Sequence, residues 1–153
     1  MISCDTNILF AAFESTTAGH ESAREFLKVQ STNTGFVLCE LVLVELYVLM
    51  RNPATARRPL SSVQAVGLVR TLRSNPSWQI VDYPGAEAGI MTEVWELAGA
   101  ADFARRRIFD GRLALALRHH RVAEFATANV KDFRDFGFSR VWNPMEATRT
   151  RER

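Results

Sequence analysis

With 153 residues, 47% hydrophobic and 24% charged, the chain has the composition of one globular domain large enough for a real core. A net charge of +2 does not announce nucleic acid by bulk charge alone. No apolar run reaches the roughly 18 residues of a membrane span, and no basic stretch followed by an apolar one opens the chain, so no membrane partner is expected and the expected location is cytoplasmic. Two cysteines, Cys4 and Cys39, cannot make a disulfide framework and read as buried thiols.

The elements alternate. A strand is predicted over about residues 2–5, followed by helical segments at about 7–13 and 20–29, where Ala23, Phe26 and Leu27 fall at helical spacing. Gly35 to Leu38 reads as a second strand and 39–51 as a helix that stops before Pro53, because proline disfavours helix at the residue preceding it. Ser61 and Ser62 offer an N-cap for a helix at about 62–73. Trp78 to Val81 reads as a third strand. A helix at about 85–98 follows, with Ile90, Val94 and Leu97 on one side, and then a helix at about 109–120. Val122 to Ala126 is a fourth strand and Arg140 to Trp142 a short fifth. Strands separated by helices imply parallel pairing through right-handed crossovers, hence a three-layer α/β/α sandwich around a mostly parallel sheet. One domain over 1–144 and a basic tail over 145–153 are expected.

Three acids recur where apolar faces should run. Asp5 closes the first strand, where it either caps the following helix or presents a carboxylate at the sheet's carboxyl end, the place where ligands gather in such sheets. Glu45 has Leu41, Val42, Val48 and Leu49 at i−4, i−3, i+3 and i+4, a spacing that turns it toward the protein. Asp110 shares a helix face with Leu113, Ala114 and Leu117. A carboxylate on an apolar face is costly unless paired or bound to a cation, so three on separate elements suggest one shared cation site. Thr127 and Asn129 are polar groups at the end of the fourth strand, and Asp132, read as a loop residue, is a possible fourth acid. Oxygen donors of this kind suit a hard cation of the magnesium type, which makes bound water a better nucleophile and polarises a phosphoryl oxygen.

Basic residues flank Asp110 on both sides: Arg105, Arg106 and Arg107 before it, Arg112 just after, then Arg118 to Arg121 with His119 and His120 between. Lysine occurs only at Lys28 and Lys131, and arginine forks match phosphate oxygens better than an ammonium does. The two histidines read as surface residues; no histidine–cysteine cluster has zinc spacing and no glycine-rich phosphate loop is present. An aspartyl-nucleophile phosphatase would need a second aspartate where Asn7 stands, and Lys131 is poorly placed for a receiver domain.

In order and spacing, Cys4-Asp5-Thr6-Asn7, the Glu45 helix, Phe109 to Ala116, Thr127 to Phe133 and the closing Val141 to Pro144 resemble the PIN-domain ribonucleases, and among them the VapC-type toxins of toxin–antitoxin pairs. The resemblance covers about residues 1–144. It implies a magnesium- or manganese-dependent endoribonuclease. Asp5, Glu45 and Asp110 would hold the metal, a fourth acid being Asp132 or absent; Thr6 and Thr127 would orient carboxylates or the attacking water. From the charge pattern itself, Arg105, Arg106, Arg107 and Arg112 read either as contacts to RNA phosphates or as a solvated helix face. The resemblance further implies a homodimer and a cognate antitoxin. Asn129 departs from the family, which often has aspartate there. Two rival readings are a PIN nuclease of RNA maturation without an antitoxin, and a non-catalytic binding module; retention of Asp5, Glu45 and Asp110 argues against the second.

Overall fold

All four residues of Phe36–Cys39 are buried, as a strand covered by helices on both faces must be. In this computed structural model, which describes residues 1–146, that strand (β2) pairs with β1 (Ile2–Cys4) and β3 (Gln79–Val81). On its other side β1 pairs with β4 (Glu124–Ala126), and β4 with β5 (Arg140–Trp142). Every pair is parallel and the order is β3-β2-β1-β4-β5. The expected sheet is therefore wholly parallel.

The order explains the layers. From β1 the chain winds outward through β2 to β3 by way of α1 (Thr6–Phe13), α2 (His20–Gln30), α3 (Glu40–Arg51) and α4 (Ser62–Arg73). It then returns past β1 to β4 and β5 through α5 (Ile90–Ala98), α6 (Arg107–His119) and α7 (Val130–Phe133). Right-handed crossovers in opposite directions put the two helix groups on opposite faces. Accordingly α1 packs on α2 and α3, α3 on α4, and α5 on α6. The winding reverses between β1 and β4, and a crevice opens there at the strands' carboxyl ends.

Several boundaries follow from local chemistry. Ser61 accepts from the Gln64 N–H at 3.2 Å while Gln64 Oε1 accepts from the Ser61 N–H at 2.9 Å, a capping box that starts α4 at the expected place. The helix expected at 85–98 is instead a single 3-10 turn, Ala86–Ala88, and α5, divided at Gly89, whose φ of 71° lies in the left-handed region. On α5, Ile90 and Val94 are buried but Leu97 is exposed. The fourth strand starts at Glu124, later than expected, because Arg121 takes a left-handed φ of 63° and the Val122 N–H turns back to the Leu117 carbonyl.

The core is aromatic on both sides of the sheet. Phe36 stands 4.9 Å from Trp78 and 6.3 Å from Phe26. Phe125 stands 4.7 Å from Phe133 and stacks on Phe138 at 5.2 Å. Met145 packs against the same core, while the rest of the expected basic tail, from residue 147 on, lies outside the described residues. Phe125 is fully buried and lies two residues before Thr127. Phe125→Ala should therefore cost about 3–5 kcal/mol of unfolding free energy, read from urea denaturation; a loss below about 1 kcal/mol would mean that the ring cluster does not anchor β4.

Candidate active site

The crevice between β1 and β4 is built around one carboxylate. The Asp5 N–H bonds to the Ala126 carbonyl at 2.9 Å, so the ladder carries Asp5 just past the strand end, where it becomes the N-cap of α1. Its Oδ1 accepts from the Thr6 N–H at 2.7 Å, and its Oδ2 accepts from Thr127 Oγ1 at 2.7 Å and Asn7 Nδ2 at 2.8 Å. Thr127 is fully buried and takes its own bonds from the Asn129 N–H at 3.0 Å and Asn7 Nδ2 at 3.3 Å. Asn7 Oδ1 in turn accepts from the Ala128 N–H at 3.1 Å, tying α1 to the segment after β4. The cap reading and the site reading of Asp5 thus hold together.

Glu45 joins through Thr6, whose hydroxyl donates to Glu45 Oε2 at 2.9 Å. Its exposure differs from the expectation. The buried stripe of α3 is Val42, Leu43, Leu46 and Met50, and Glu45 stands at its edge, solvent-accessible, beside an exposed Val48. The apolar neighbours form a cleft wall rather than a burial site. Asp110, half-buried in the first turn of α6, lines the same cleft of about 540 Å³ with Asp5 and Glu45.

The arginines separate. Arg106 and Arg112 line the cleft, and the Arg112 guanidinium lies 5.3 Å from the Tyr83 ring centre. Arg107 does not line it. Its guanidinium stands 5.1 Å from the Phe136 ring centre and 5.9 Å from that of Phe103, and it pairs with Asp135 at 3.2 Å. Arg105 is exposed outside the cleft lining. Asp132 is exposed on α7 rather than in a loop, and Asn129 lines the cleft where Asp132 does not. Among the lining residues outside the expected site are Asn7, signalled only by standing two residues after Asp5, Phe109, signalled by its position beside Asp110, and the apolar Leu41, Val44, Leu49 and Leu113.

Electrostatics ties the acids together. Burial above all pushes the Asp5 carboxyl up to about 6; Thr127 and the Thr6 N–H hold it down, and Glu45 and Asp110 push it up again. Asp110 is raised by burial first, then by Asp132 and Glu45, with Arg107 and Arg106 opposing. The donor set is all oxygen, which fits a hard divalent cation. Asp5 spends three of about four acceptor positions on its clamp. Among the described residues no three His, Cys, Asp or Glu side chains stand together closely enough to hold an ion unaided. The arrangement fits an ion that keeps much of its water shell.

The PIN domain family profile matches residues 2–138. The chain is 48% identical over 145 residues to the ribonuclease VapC24 of Mycobacterium tuberculosis, in both strain CDC 1551 / Oshkosh and strain H37Rv, covering 95% of this chain and 97% of that one. The crystal structure of Mycobacterium tuberculosis VapC20, a toxin that cleaves the sarcin-ricin loop, superposes with a TM-score of 0.60 at 15% identity, over 82% of this chain and 87% of that one. FitAB bound to an IR36 DNA fragment gives 0.63 at 18% identity, over 95% and 96%. At such identities these two structures speak for the fold.

The raised Asp5 pKa has a consequence for stability. Its folded value, about 6, exceeds the ordinary 3.8, so the protonated acid favours folding below about pH 4 and that advantage is lost as pH rises through about 6. The loss amounts to about 3 kcal/mol for a shift of this size. In metal-free buffer the wild-type melting temperature should fall between about pH 4 and pH 7 more steeply than that of Asp5→Asn. Parallel pH profiles of the two proteins would show that Asp5 is not strained.

Proposed function

Because the chain belongs to the PIN-domain family and to its VapC-type ribonucleases, we propose that it cuts RNA internally as the toxin of a toxin–antitoxin pair, using a divalent cation held by Asp5, Glu45 and Asp110. The observation that carries the reading is the clamped, partly unrelieved carboxylate of Asp5 facing Glu45 and Asp110 across one cleft. A purely structural cap would not need two further acids that raise its pKa.

When bound, magnesium or manganese would supply positive charge to the phosphoryl oxygens and lower the pKa of a water. The side chains provide the rest. Thr127 and Asn7 hold the Asp5 carboxylate in one orientation, and Thr6 does so for Glu45, so both hydroxyls act on carboxylates. Arg106 and Arg112 offer forks to the phosphates on either side of the cut. Asp132 acts from a distance, through its field on Asp110. The partners are RNA, a cognate antitoxin and a second copy of this chain. The proposed place of work is the cytoplasm; no helix among the described residues is long and apolar enough to cross a membrane.

Asp5→Asn, Glu45→Gln and Asp110→Asn should each lower RNA cleavage by roughly 100-fold or more, since each would remove several kcal/mol of transition-state stabilisation. Far-UV circular dichroism should be unchanged. Chelator should abolish wild-type cleavage and added magnesium or manganese restore it. Asp132→Asn should lose less. Wild-type turnover in a folded Asp5 or Asp110 variant, or cleavage indifferent to chelator, would defeat the reading.

The arginines should part company. Arg106→Ala should lower the slope of log affinity for single-stranded RNA against log salt by roughly 0.7, the worth of one phosphate contact. Arg107→Ala should leave that slope alone and lower the melting temperature, because its guanidinium lies against Phe136 and Phe103. A salt slope lowered by Arg107→Ala and untouched by Arg106→Ala would reverse the assignment.

A further inference from the structure

Two helices line the cleft, and on each an apolar residue immediately precedes the acid. On the α6 side, Arg106, Phe109 and Asp110 stand at i, i+3 and i+4; on α3, Leu41, Val44 and Glu45 do the same. Each acid therefore has an apolar residue beside it at the cleft mouth. Those two apolar residues are open to solvent: Phe109 is 66% exposed and Val44 63%. The other aromatics near the start of α6 have internal employment, since Phe103 and Phe136 lie against the Arg107 guanidinium. Phe109 makes no ring or cation contact with another described side chain.

A site that handled only phosphate and a cation would gain nothing from an exposed phenyl ring beside its carboxylate. A nucleobase would, because every base has a π-face, and stacking on an aromatic side chain is tolerant of sequence. Resting on the nuclease reading above, we propose that Phe109, with Val44 and Leu41 opposite, forms a seat for one unpaired nucleobase beside the carboxylates, while Arg106 holds the adjoining phosphate. The geometry assigns separate roles along one helix face: Arg106 binds backbone, Phe109 binds base, and Asp110 serves the chemistry.

The test uses the full-length protein in chelator, so that RNA is bound and not cut. Its probes are a fluorescein-labelled single-stranded RNA of about ten nucleotides and a matched abasic chain with the same sugar–phosphate backbone. Fluorescence anisotropy should show the base-bearing RNA binding the wild type roughly 5- to 100-fold more tightly than the abasic chain. Phe109→Ala should remove most of that difference and Phe109→Trp should restore it. Arg106→Ala should weaken both probes alike. With metal present, Phe109→Ala should raise KM for RNA cleavage by a similar factor and change kcat much less. Equal affinity of wild type for the two probes, or wild-type affinity in Phe109→Ala, would overturn the seat. So would conversion of a dimer to a monomer by Phe109→Ala with RNA affinity per chain unchanged, which would assign the ring to a protein interface. If the wild type cleaves RNA with metal while Phe109→Ala keeps its KM, the seat fails and the nuclease reading stands. If the wild type does not cleave at all, the nuclease reading fails with it.

Discussion

The structure depends on keeping one ionisable carboxylate at the seam where the sheet changes its direction of winding. Moving a charge out of water costs several kcal/mol unless hydrogen bonds and nearby charges compensate. Around Asp5 the compensation is a backbone N–H at a helix start and two side-chain donors, Asn7 and Thr127, reached from two different elements. The donors exist because β1 and β4 are neighbours in parallel register, Ser3 opposite Phe125 and Cys4 opposite Ala126, so that the residues just past both strands meet. A strand inserted between β1 and β4 would separate Asp5 from Thr127 altogether.

The compensation is incomplete, and the shortfall is informative. Hydrogen bonds hold the Asp5 carboxyl down, yet burial and the fields of Glu45 and Asp110 leave it near 6. Asp110 is strained in the same direction. A fold selected for stability alone would replace these acids with amides or apolar side chains. Residual strain concentrated in one cleft, with every contributing atom an oxygen, is the state that an incoming cation would relieve. The stabilities of the fold and of the site are therefore opposed in the metal-free protein.

Much of this was legible in the residues. The alternation of strands and helices yields the layered sheet, the serines at 61 and 62 mark a helix start, and Asp5 and Thr127 announce themselves as polar groups at strand ends. Three features were not legible, each for a physical reason. Helical spacing identifies the apolar neighbours of Glu45 but not which of them are buried, and here the buried stripe passes one position to the side. A run of three arginines looks uniform in sequence, whereas the aromatic residues that capture Arg107 come from Phe103 and from Phe136, nearly thirty residues later. The helix carrying Asp132, only four residues long, is too short to show a period.

Asn7 shows how a tie across the cleft can hide in an ordinary residue. In sequence it is a polar side chain at the start of a helix, where asparagine is common for local reasons. In space it donates to Asp5 and Thr127 and accepts from the Ala128 N–H, joining the helix after the first strand to the segment after the fourth. An aspartate at this position would bring a second negative charge against Asp5 and lose both donor contacts. The amide supplies what the seam requires: a donor toward the strained carboxylate and an acceptor toward the backbone, with no added charge. The discrimination between an acid at position 5 and an amide at position 7 is thus set by the same constraint that governs the cleft, since one more carboxylate would raise the cost of ionising Asp5 and one fewer donor would leave it unheld.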